Sequence, residues 1–345
     1  MSMSMSSEQK QEQQQPQPQQ APGNEDPFTE LEHKNWQRGV DAYTKGFGPL
    51  TAQAVPTLLD RAGFLVVPGD PGGGEPAAKG HENDDDDDEN DEKVFRLLDV
   101  ACGPGQVVDA AIARAKERST TTANKTTAAT GYTALDFSSR FLALAETNLG
   151  SRHPGTTVEF VEGDAQDLPF PDGTFDAVAC NFGILHLADP DSFLAESYRV
   201  LRPGGRLAFS VWAAPPATEA FAAVLDSVAD SGNPNVELPD GPPFFRFADA
   251  AEARRSLEAA GFVGASSTVV ESMEWTNLRA TSADDLYGVF LEGTARTREL
   301  LRGQTDGETA AVRAGLQRRL DDRAATGRGH LRMPAVVSSG RKPAG

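Results

Sequence analysis

Between residues 94 and 212, short apolar runs alternate with segments whose apolar residues recur at helical spacing. The apolar runs, some of which continue into loops, are VFRLLDVA (94–101), GYTALDFSS (131–139), TTVEFVEGDAQDLPF (156–170), FDAVACNFGILHL (175–187) and RLAFSVW (206–212). The helical segments between them are QVVDAAIARAKER (106–118), SRFLALAETNLGSR (139–152) and SFLAESYRVLRPGG (192–205). This alternation predicts an α/β fold with a doubly wound, mostly parallel sheet.

The segments that flank this region are mostly helical. Residues 28–66 predict a cap of two or three short helices, with Pro49 and Pro56 as breaks. Residues 213–341 predict the remainder of the sheet with helical additions, and 342–345 a short tail. The predicted later helices are 217–230, 248–262, 282–302 and 306–325, and the predicted later strands are 265–275 and 333–341. We therefore expect one catalytic-type domain with helical additions.

Two stretches contain too few apolar residues to form a packed core. Residues 1–27 are rich in Gln, Ser and Pro, and residues 67–93 hold nine acidic residues between Glu82 and Glu92. Neither stretch can bury enough apolar surface to offset its ordering entropy, so both are predicted to be disordered. The acidic loop is interpreted as a solvated surface; a site for metals or a basic partner is the less favoured alternative.

Charge and composition narrow the possible partners. A net charge of −19 disfavours nucleic acids and anionic membrane surfaces, and no apolar run approaches the ~20 residues of a spanning helix. The N-terminus lacks the apolar core of a signal peptide. Cys102 and Cys180 lie in apolar surroundings and indicate a reducing compartment without disulfides. We therefore expect a cytoplasmic protein. We also expect no metal site, because the sequence shows no metal-ligand spacing. The sequence leaves the oligomeric state open.

Three acidic residues follow predicted strands, at the edge where open α/β sheets bind their ligands. They are Asp99, Asp136 and Asp164. Three carboxylates around one crevice would repel one another, so we expect a ligand with hydroxyls, amines and a positive centre to compensate. Asp136, at the second strand end, is placed to accept hydrogen bonds from both hydroxyls of a ribose.

Two glycines lie in the sharp turn after the first strand, within LLDVACGPGQVV (97–108). Gly103 and Gly105 would let the backbone approach a ligand closely, although tight strand-to-helix turns also use such glycines for packing alone. A dinucleotide-binding fingerprint requires a third glycine where this chain has Val108, and the Lys and Ser/Thr of a phosphate loop are missing. The pattern therefore disfavours an NAD(P)-dependent oxidoreductase.

Four motifs between about Val94 and Trp212 occur in a familiar order and spacing: VFRLLDVACGPGQVV, YTALDFS, VEGDAQDLPFPDGTFDAVACNFGILHL and RVLRPGGRLAFSVW. Together they resemble class I S-adenosylmethionine-dependent methyltransferases with a methyltransferase type 11 domain, in the small-molecule branch of ubiquinone/menaquinone C-methyltransferases. The resemblance implies a Rossmann-like, seven-stranded sheet whose last strand is antiparallel. It also implies that residues 94–212 bind S-adenosyl-L-methionine. Ala101 departs from the family pattern, since many relatives have glycine there, and is expected to narrow the loop slightly.

The same resemblance assigns residues near the first two strands to the cofactor. Asp99 and the backbone of residues 101–105, including Ala101, Gly103 and Gly105, would hold its methionine moiety. Asp136 would bind the ribose hydroxyls, with Phe137 against the adenine. The RPGG sequence would form a structural turn before the fifth strand.

Residues after the third and fourth strands are assigned to the other parts of the cofactor. Asp164 would accept a hydrogen bond from the adenine amino group, with Ala165 and Gln166 beside the ring. Asn181 and Phe182 would line the cofactor near the transferable methyl group. These five residues are expectations from the resemblance.

The expected activity is transfer of a methyl group to O, N or C of a small, partly hydrophobic organic acceptor. Displacement at carbon is nearly in line, and positioning alone can supply ~7–11 kcal/mol of such a barrier. We expect the acceptor pocket to be built by residues 28–64, 239–247 and 282–325. A non-catalytic cofactor-binding protein remains an alternative, and an oxidoreductase a less favoured one.

Two residues are candidates for direct catalytic roles. His186 could act as a general base, or it could hydrogen-bond the surrounding loop or line the cofactor pocket. Tyr43, in the predicted cap, could lie over the methyl group or simply pack there.

Overall fold

A computed structural model describes residues 26–64, 94–121, 130–278 and 282–345. The predicted acidic loop and almost all of the Gln/Pro-rich tail lie outside these residues. Asp26 and Pro27, which we assigned to the tail, instead begin a helix: the Asp26 side chain accepts a hydrogen bond from the backbone of Thr29, and Pro27 is the first helical residue. Both residue types favour a helix N-terminus.

Seven strands form one sheet in the order β3-β2-β1-β4-β5-β7-β6. The strands are β1 (Phe95–Val100), β2 (Thr130–Asp136), β3 (Val158–Glu162), β4 (Phe175–Asn181), β5 (Leu201–Trp212), β6 (Val263–Val270) and β7 (Ala335–Arg341). Strands β1 to β5 pair in parallel, and β7 runs antiparallel to both β5 and β6. The predicted doubly wound, mostly parallel sheet with an antiparallel last strand is confirmed.

Helices surround the sheet. They are α1 (Pro27–Lys45), α2 (Gly48–Thr51), α3 (Val55–Arg61), α4 (Gln106–Thr121), α5 (Ser139–Arg152), α6 (Pro190–Val200), α7 (Glu219–Ser231), α8 (Ala250–Ala259), α9 (Ala283–Gly293), α10 (Arg296–Arg302) and α11 (Asp306–Ala325). No helix in the described parts of the chain is long and apolar enough to cross a bilayer.

Three elements differ from the sequence-based expectation. The cap begins with one long helix, α1, which continues through Gly39 and has Gly46 as its C-cap, because no proline interrupts it after Pro27. Strand β5 begins ahead of RPGG; its register against β4 shifts there, so the predicted turn is an irregularity inside the strand. Strand β6 ends at Val270, and beyond it only an isolated bridge joins Glu274 to Arg332.

Alternate residues of the central strands face opposite sides of the sheet, which accounts for their continuous apolar sequence. Leu98 and Val178 belong to the apolar cluster under α6, α7 and α8, whereas Leu97 and Ala177 belong to the cluster under α3, α4 and α5. All four side chains are fully buried. Both faces of β1 and β4 are therefore covered, and only the ends of these strands are accessible to a ligand.

Gly105, in the turn from β1 into α4, is required for packing of the protein and not for the approach of a ligand. Gly105 has φ +85°, a left-handed conformation that side-chain-bearing residues adopt only with strain. A Cβ atom there would lie 3.1 Å from Leu149 Cδ1 and 3.2 Å from Ala145 Cβ, both on α5. The absent side chain thus lets α5 pack against the turn.

We expect Gly105→Ala to lower the free energy of unfolding by about 1–3 kcal/mol, through left-handed strain and crowding against α5. Gly150→Ala is the matched control, because its new methyl group would meet nothing within 4 Å and helical alanine is favoured over glycine. That control should be neutral or stabilising by up to about 1 kcal/mol. Urea denaturation measures both; equal effects in the two variants would contradict the packing role of Gly105.

Candidate functional site

A cavity of about 270 Å³ lies at the carboxyl ends of the strands, where the strand order reverses between β1 and β4. This is the position at which open α/β sheets bind ligands. Most of the predicted site residues line it: Tyr43, Ala101, Gly103, Asp136, Phe137, Asp164, Ala165, Gln166, Asn181, Phe182 and His186. Asp99 and Gly105 do not line it, contrary to expectation.

Asp136 joins the first two strand ends at the floor of the cavity. Its Oδ2 accepts a hydrogen bond of 2.9 Å from the backbone N–H of Gly103, and its Oδ1 accepts one of 2.9 Å from the backbone of Ser138. Burial raises the pKa of this carboxyl to about 6, and these two hydrogen bonds only partly oppose the shift. Asp136 is therefore ionised near neutral pH and gains from further hydrogen-bond donors.

The loop after β1, which contains Ala101 and Gly103, exposes its backbone to the cavity. Gly103 has φ +52°, and no atom lies within 4 Å of the position that a Cβ would take, so a ligand can approach the peptide directly. Ala101 has φ +55°, which explains why glycine suits this position better. Its methyl group occupies space beside Gly183, where a Cβ would lie 2.5 Å from it. A side chain at position 183 would collide with this methyl group, so the glycine there accommodates Ala101.

Asp164 is held at the opposite wall by Gln166. The backbone N–H of Gln166 donates to Asp164 Oδ1 at 2.9 Å, and its side-chain amide donates to both carboxylate oxygens at 3.0 and 3.1 Å. Gln166 Oε1 in turn accepts a hydrogen bond of 2.6 Å from the backbone of Asp189. This chain of contacts fixes an acceptor group at the rim of the cavity.

After β4 the chain is strained where it enters the cavity. Phe182 has φ +59°, a conformation rarely adopted by bulky residues, and its ring centroid lies 4.1 Å from that of Trp212. The backbone N–H of Phe182 donates to Ser210 Oγ at 3.0 Å, and Ser210 donates to Asn181 Oδ1 at 2.7 Å. Asn181 donates to the backbone carbonyl of Thr51 at 3.2 Å. Such over-determined strain is often found at functional sites.

Asp99 lies inside the protein, away from the cavity lining. It is fully buried, and neither carboxylate oxygen has a hydrogen-bond partner within the described residues. Burial raises the pKa of Asp99 well above its ordinary value, the nearby charge of Asp136 raises it further, and the backbone of Val108 opposes this only in part. A cation bound nearby would stabilise the ionised form.

Tyr43 faces the cavity from α1 as a neutral phenol. Burial raises the pKa of Tyr43 to about 12, although its hydrogen bond of 3.0 Å to Thr51 partly opposes this. Its ring packs edge-on against Trp36 at 5.5 Å and against Phe141 at 5.7 Å. Tyr43 can therefore offer a hydroxyl and an aromatic surface, but it is poorly suited to remove a proton.

His186 lies in a short 3-10 turn, Ile184–His186, and contacts residues that sequence reasoning missed. Its Nδ1 lies 3.0 Å from Glu32 Oε2, on α1. The same oxygen accepts a hydrogen bond of 3.0 Å from Trp36 Nε1, and Arg296 Nε lies 3.2 Å from Glu32 Oε1. Glu32 is only 1% exposed. An acidic residue inside an otherwise amphipathic helix was the available signal, but its charged partner Arg296 and its partner His186 are more than 100 residues away in the chain.

Aromatic side chains make up a large part of the cavity lining. They include Trp36, Phe47, Phe141, Trp212, Phe221 and Phe244. The predicted contributions of residues 28–64 and 239–247 are thus present, whereas within 282–325 only residues 293–297 line the cavity and α11 does not. In the described ranges no three His, Cys, Asp or Glu side chains are grouped so that they could hold a metal ion.

The two cysteines lie in the interior as free thiols. Burial raises the pKa of Cys180 to about 12 and that of Cys102 well above its ordinary value, and the neighbouring aspartates raise both further. Both therefore remain protonated and unreactive at neutral pH.

Comparisons with known proteins agree with the sequence motifs. Residues 98–209 match the methyltransferase domain family. The ubiquinone/menaquinone biosynthesis C-methyltransferase UbiE of Methylobacterium nodulans is 40% identical over 112 residues, which cover 32% of this chain and 40% of that protein. The demethylmenaquinone methyltransferase of Deinococcus radiodurans is 42% identical over 130 residues, covering 38% and 48%. The resemblance inferred from the sequence is thereby confirmed for this segment.

The aligned segment spans less than half the length of these two relatives. Among solved structures, the cyclase SpnF is 25% identical and similar over 74% of this chain and 77% of its own, with a TM-score of 0.42. Residues 98–209, the segment that matches the methyltransferase domain family, include the strand ends and loops that form the cavity floor. The cap and the segments after Trp212 lie outside the family match.

We expect Asp99→Asn to stabilise the ligand-free protein at neutral pH. Because the pKa of Asp99 is raised above its ordinary 3.8, the carboxyl costs stability progressively as the pH rises above about 4. The gain should be about 1–3 kcal/mol at pH 7.5 and should shrink toward pH 4. Urea denaturation at both pH values, with exposed Asp226→Asn as the control, measures it. A gain that does not depend on pH would contradict the assignment of an unpaired carboxyl.

Proposed function

We propose that this protein is an S-adenosyl-L-methionine-dependent methyltransferase that acts on O, N or C of a small organic acceptor. The observation that carries the proposal is the buried carboxylate of Asp136 beside the bare backbone of Gly103, at the switch point of a domain that matches methyltransferases. S-adenosylmethionine, when bound, supplies a methyl group on a positively charged sulfur.

The residues around the cavity fit this cofactor. Asp136 would accept hydrogen bonds from the ribose hydroxyls, and Asp164, oriented by Gln166, would accept one from the adenine amino group. The backbone at Ala101 and Gly103, which line the cavity, would follow the methionine moiety. Asp99 is a buried carboxyl without a hydrogen-bond partner in the described structure, so a ligand with positive charge relieves a cost that the free protein carries. An uncharged or phosphate-bearing ligand would leave that cost in place.

The chain's own contribution to methyl transfer would be position and exclusion of water. Asn181 and Phe182 are fixed by Ser210 and would hold the cofactor end nearest the aromatic half of the cavity. Tyr43 would present a neutral hydroxyl and an aromatic face there. Methyl transfer requires the attacking atom, the methyl carbon and the sulfur to be nearly in line. Aromatic walls that hold the acceptor on the side of the methyl group away from sulfur would supply most of this alignment.

A small, partly hydrophobic acceptor suits the aromatic part of the cavity, which it would share with the cofactor. The cavity measures about 270 Å³ and is lined mainly by apolar and aromatic side chains, which favours a small molecule over a protein segment or a nucleic acid. The alternative of a cofactor-binding protein without catalysis predicts the same cofactor binding but no methylated product.

The binding step is tested by calorimetry. S-adenosylmethionine and S-adenosylhomocysteine should bind with micromolar affinity, and NADH should not bind. Asp136→Ala should weaken binding by about 1.5–3 kcal/mol, the range for hydrogen bonds to a charged group, while Asp226→Ala on the exposed face of α7 should leave it unchanged. Preference for NADH, or unaltered affinity in a folded Asp136→Ala variant, would refute the proposed binding mode.

Cofactor affinity should also fall as the pH is lowered. Ribose hydroxyls donate to an ionised carboxylate, and the pKa of Asp136 in the free protein is about 6. Below that value protonation competes with binding, so affinity at pH 5 should be roughly tenfold weaker than at pH 7. The Asp136→Asn variant controls for titration of the cofactor itself and should bind weakly with a flatter profile. A wild-type profile identical in shape to that of the variant would contradict this role.

A further inference from the structure

We propose that Glu32 is a positioning residue that holds His186 as the base that takes a proton from the acceptor's nucleophilic atom. The inference rests on the proposed function and adds a substrate class to it: acceptors whose methylated atom carries a proton, such as a weakly acidic hydroxyl. His186 would be the catalytic residue, and Glu32 would act only through it.

The orientation of the imidazole supports this role. His186 lines the cavity, and its Nδ1 is bonded to Glu32 at 3.0 Å. Its Nε2 has no hydrogen-bond partner among the residues that the structure describes. The ring is held edge-on by Trp36 at 4.7 Å and by Phe244 at 5.9 Å. One nitrogen is therefore tied to the protein, and the other is left for a ligand.

The surroundings of Glu32 determine which nitrogen carries the proton. An ionised carboxylate only accepts hydrogen bonds, so Nδ1 must donate, and Nε2 of the neutral ring is left with a lone pair. The carboxylate is 1% exposed but is compensated by the Trp36 indole N–H at 3.0 Å and by the Arg296 guanidinium at 3.2 Å. Arg296 therefore supplies the positive charge beside this buried carboxylate, and His186 contributes a hydrogen bond to it.

Both terminal nitrogens of Arg296 donate to backbone carbonyls within the protein, which disfavours Arg296 as an anchor for an anionic acceptor. Its Nη1 donates to the carbonyl of Pro242 at 2.8 Å, and its Nη2 donates to the carbonyl of Leu185. Its guanidinium also stacks over Phe28 and Phe244, at 4.8 and 5.1 Å from the ring centroids. These contacts favour a neutral acceptor, one that needs a base, over a preformed carboxylate or phosphate.

In the proposed step, the acceptor loses a proton to His186 and gains the methyl group. The acceptor's X–H bond breaks and its proton moves to Nε2 of His186, while the electron pair on X forms the new bond to the methyl carbon. The bond between that carbon and sulfur breaks, and its pair stays on sulfur, which becomes neutral. Imidazolium formed in this way is stabilised by Glu32, since Nδ1–H already points at its carboxylate.

The three residues come from separate elements: Glu32 from α1, His186 from the turn after β4, and Arg296 from the start of α10. Only His186 lies within residues 98–209, the segment that matches the methyltransferase domain family. The base is thus completed by parts of the chain that the family match does not include.

The first test is the ¹⁵N spectrum of the histidine rings in the full chain with S-adenosylhomocysteine bound, His186 being assigned by its loss in His186→Asn. We expect the proton on Nδ1 and a lone pair on Nε2 in the wild type, and a redistributed proton in Glu32→Gln. Glu30→Gln, an exposed change on the same helix, should leave the spectrum unaltered. A proton on Nε2 in the wild type would overturn the proposal, whether or not an acceptor has been found.

The second test uses methyl transfer to phenols of graded acidity at one fixed pH. For weakly acidic phenols, His186→Asn should lower kcat by about 100-fold or more with little change in KM, Glu32→Gln should cause a smaller loss in the same direction, and Glu32→Asp should partly restore activity. For phenols already ionised at the assay pH, all losses should be under threefold. Equal losses across the series would indicate a structural role and overturn the proposal.

The two proposals fail in different ways. If S-adenosylhomocysteine does not bind the wild type, the proposed function is wrong. If it binds with equal affinity to the wild type, Glu32→Gln and His186→Asn, and turnover is also equal, the function stands and only the proposed base is refuted.

Discussion

The hydrogen bond from the Gly103 backbone to the Asp136 carboxylate sets the geometry of the site. It joins the loop after β1 to the end of β2, two neighbouring parallel strands whose register places Val100 beside Leu135. This buried carboxylate accepts hydrogen bonds from backbone N–H groups. Moving it would leave those N–H groups and its own charge without partners, which costs free energy. The contact between Gly103 and Asp136, together with the hydrogen bond of 3.0 Å from the Cys102 backbone N–H to the Leu135 carbonyl, fixes the loop and with it the floor of the cavity.

The same floor is energetically costly in the free protein. Asp99 is fully buried, the nearby charge of Asp136 raises the pKa of its carboxyl further, and it has no hydrogen-bond partner in the described structure. Ala101 and Phe182 add backbone strain on either side. These features lower the free energy of unfolding of the ligand-free protein. A ligand that brings positive charge and hydrogen-bond donors would restore part of that stability. We interpret this as a site organised before its ligand arrives.

The walls of the cavity have a different origin from its floor. Strand ends within residues 98–209 supply the floor, whereas α1, Phe244 and the start of α10 supply the aromatic and charged walls. Glu32 ties these parts together, because its carboxylate contacts His186 in the domain and Arg296 outside it. In the proposed function, the segment that matches the methyltransferase domain family would hold the cofactor, and the segments outside that match would select the acceptor.

Much of the fold and of the cavity floor could be predicted from the sequence alone. Alternating apolar runs and helical segments determined the sheet, because side-chain spacing encodes local backbone geometry directly. The grouping of acidic residues at one edge of the sheet could also be predicted, because parallel strands bring their carboxyl ends to the same edge. Tertiary structure alone decided that Asp99 is buried away from the cavity, that Gly105 serves packing against α5, and that Glu32 meets His186 and Arg296. Those outcomes depend on how distant elements pack, and residue spacing along the chain carries no record of such contacts.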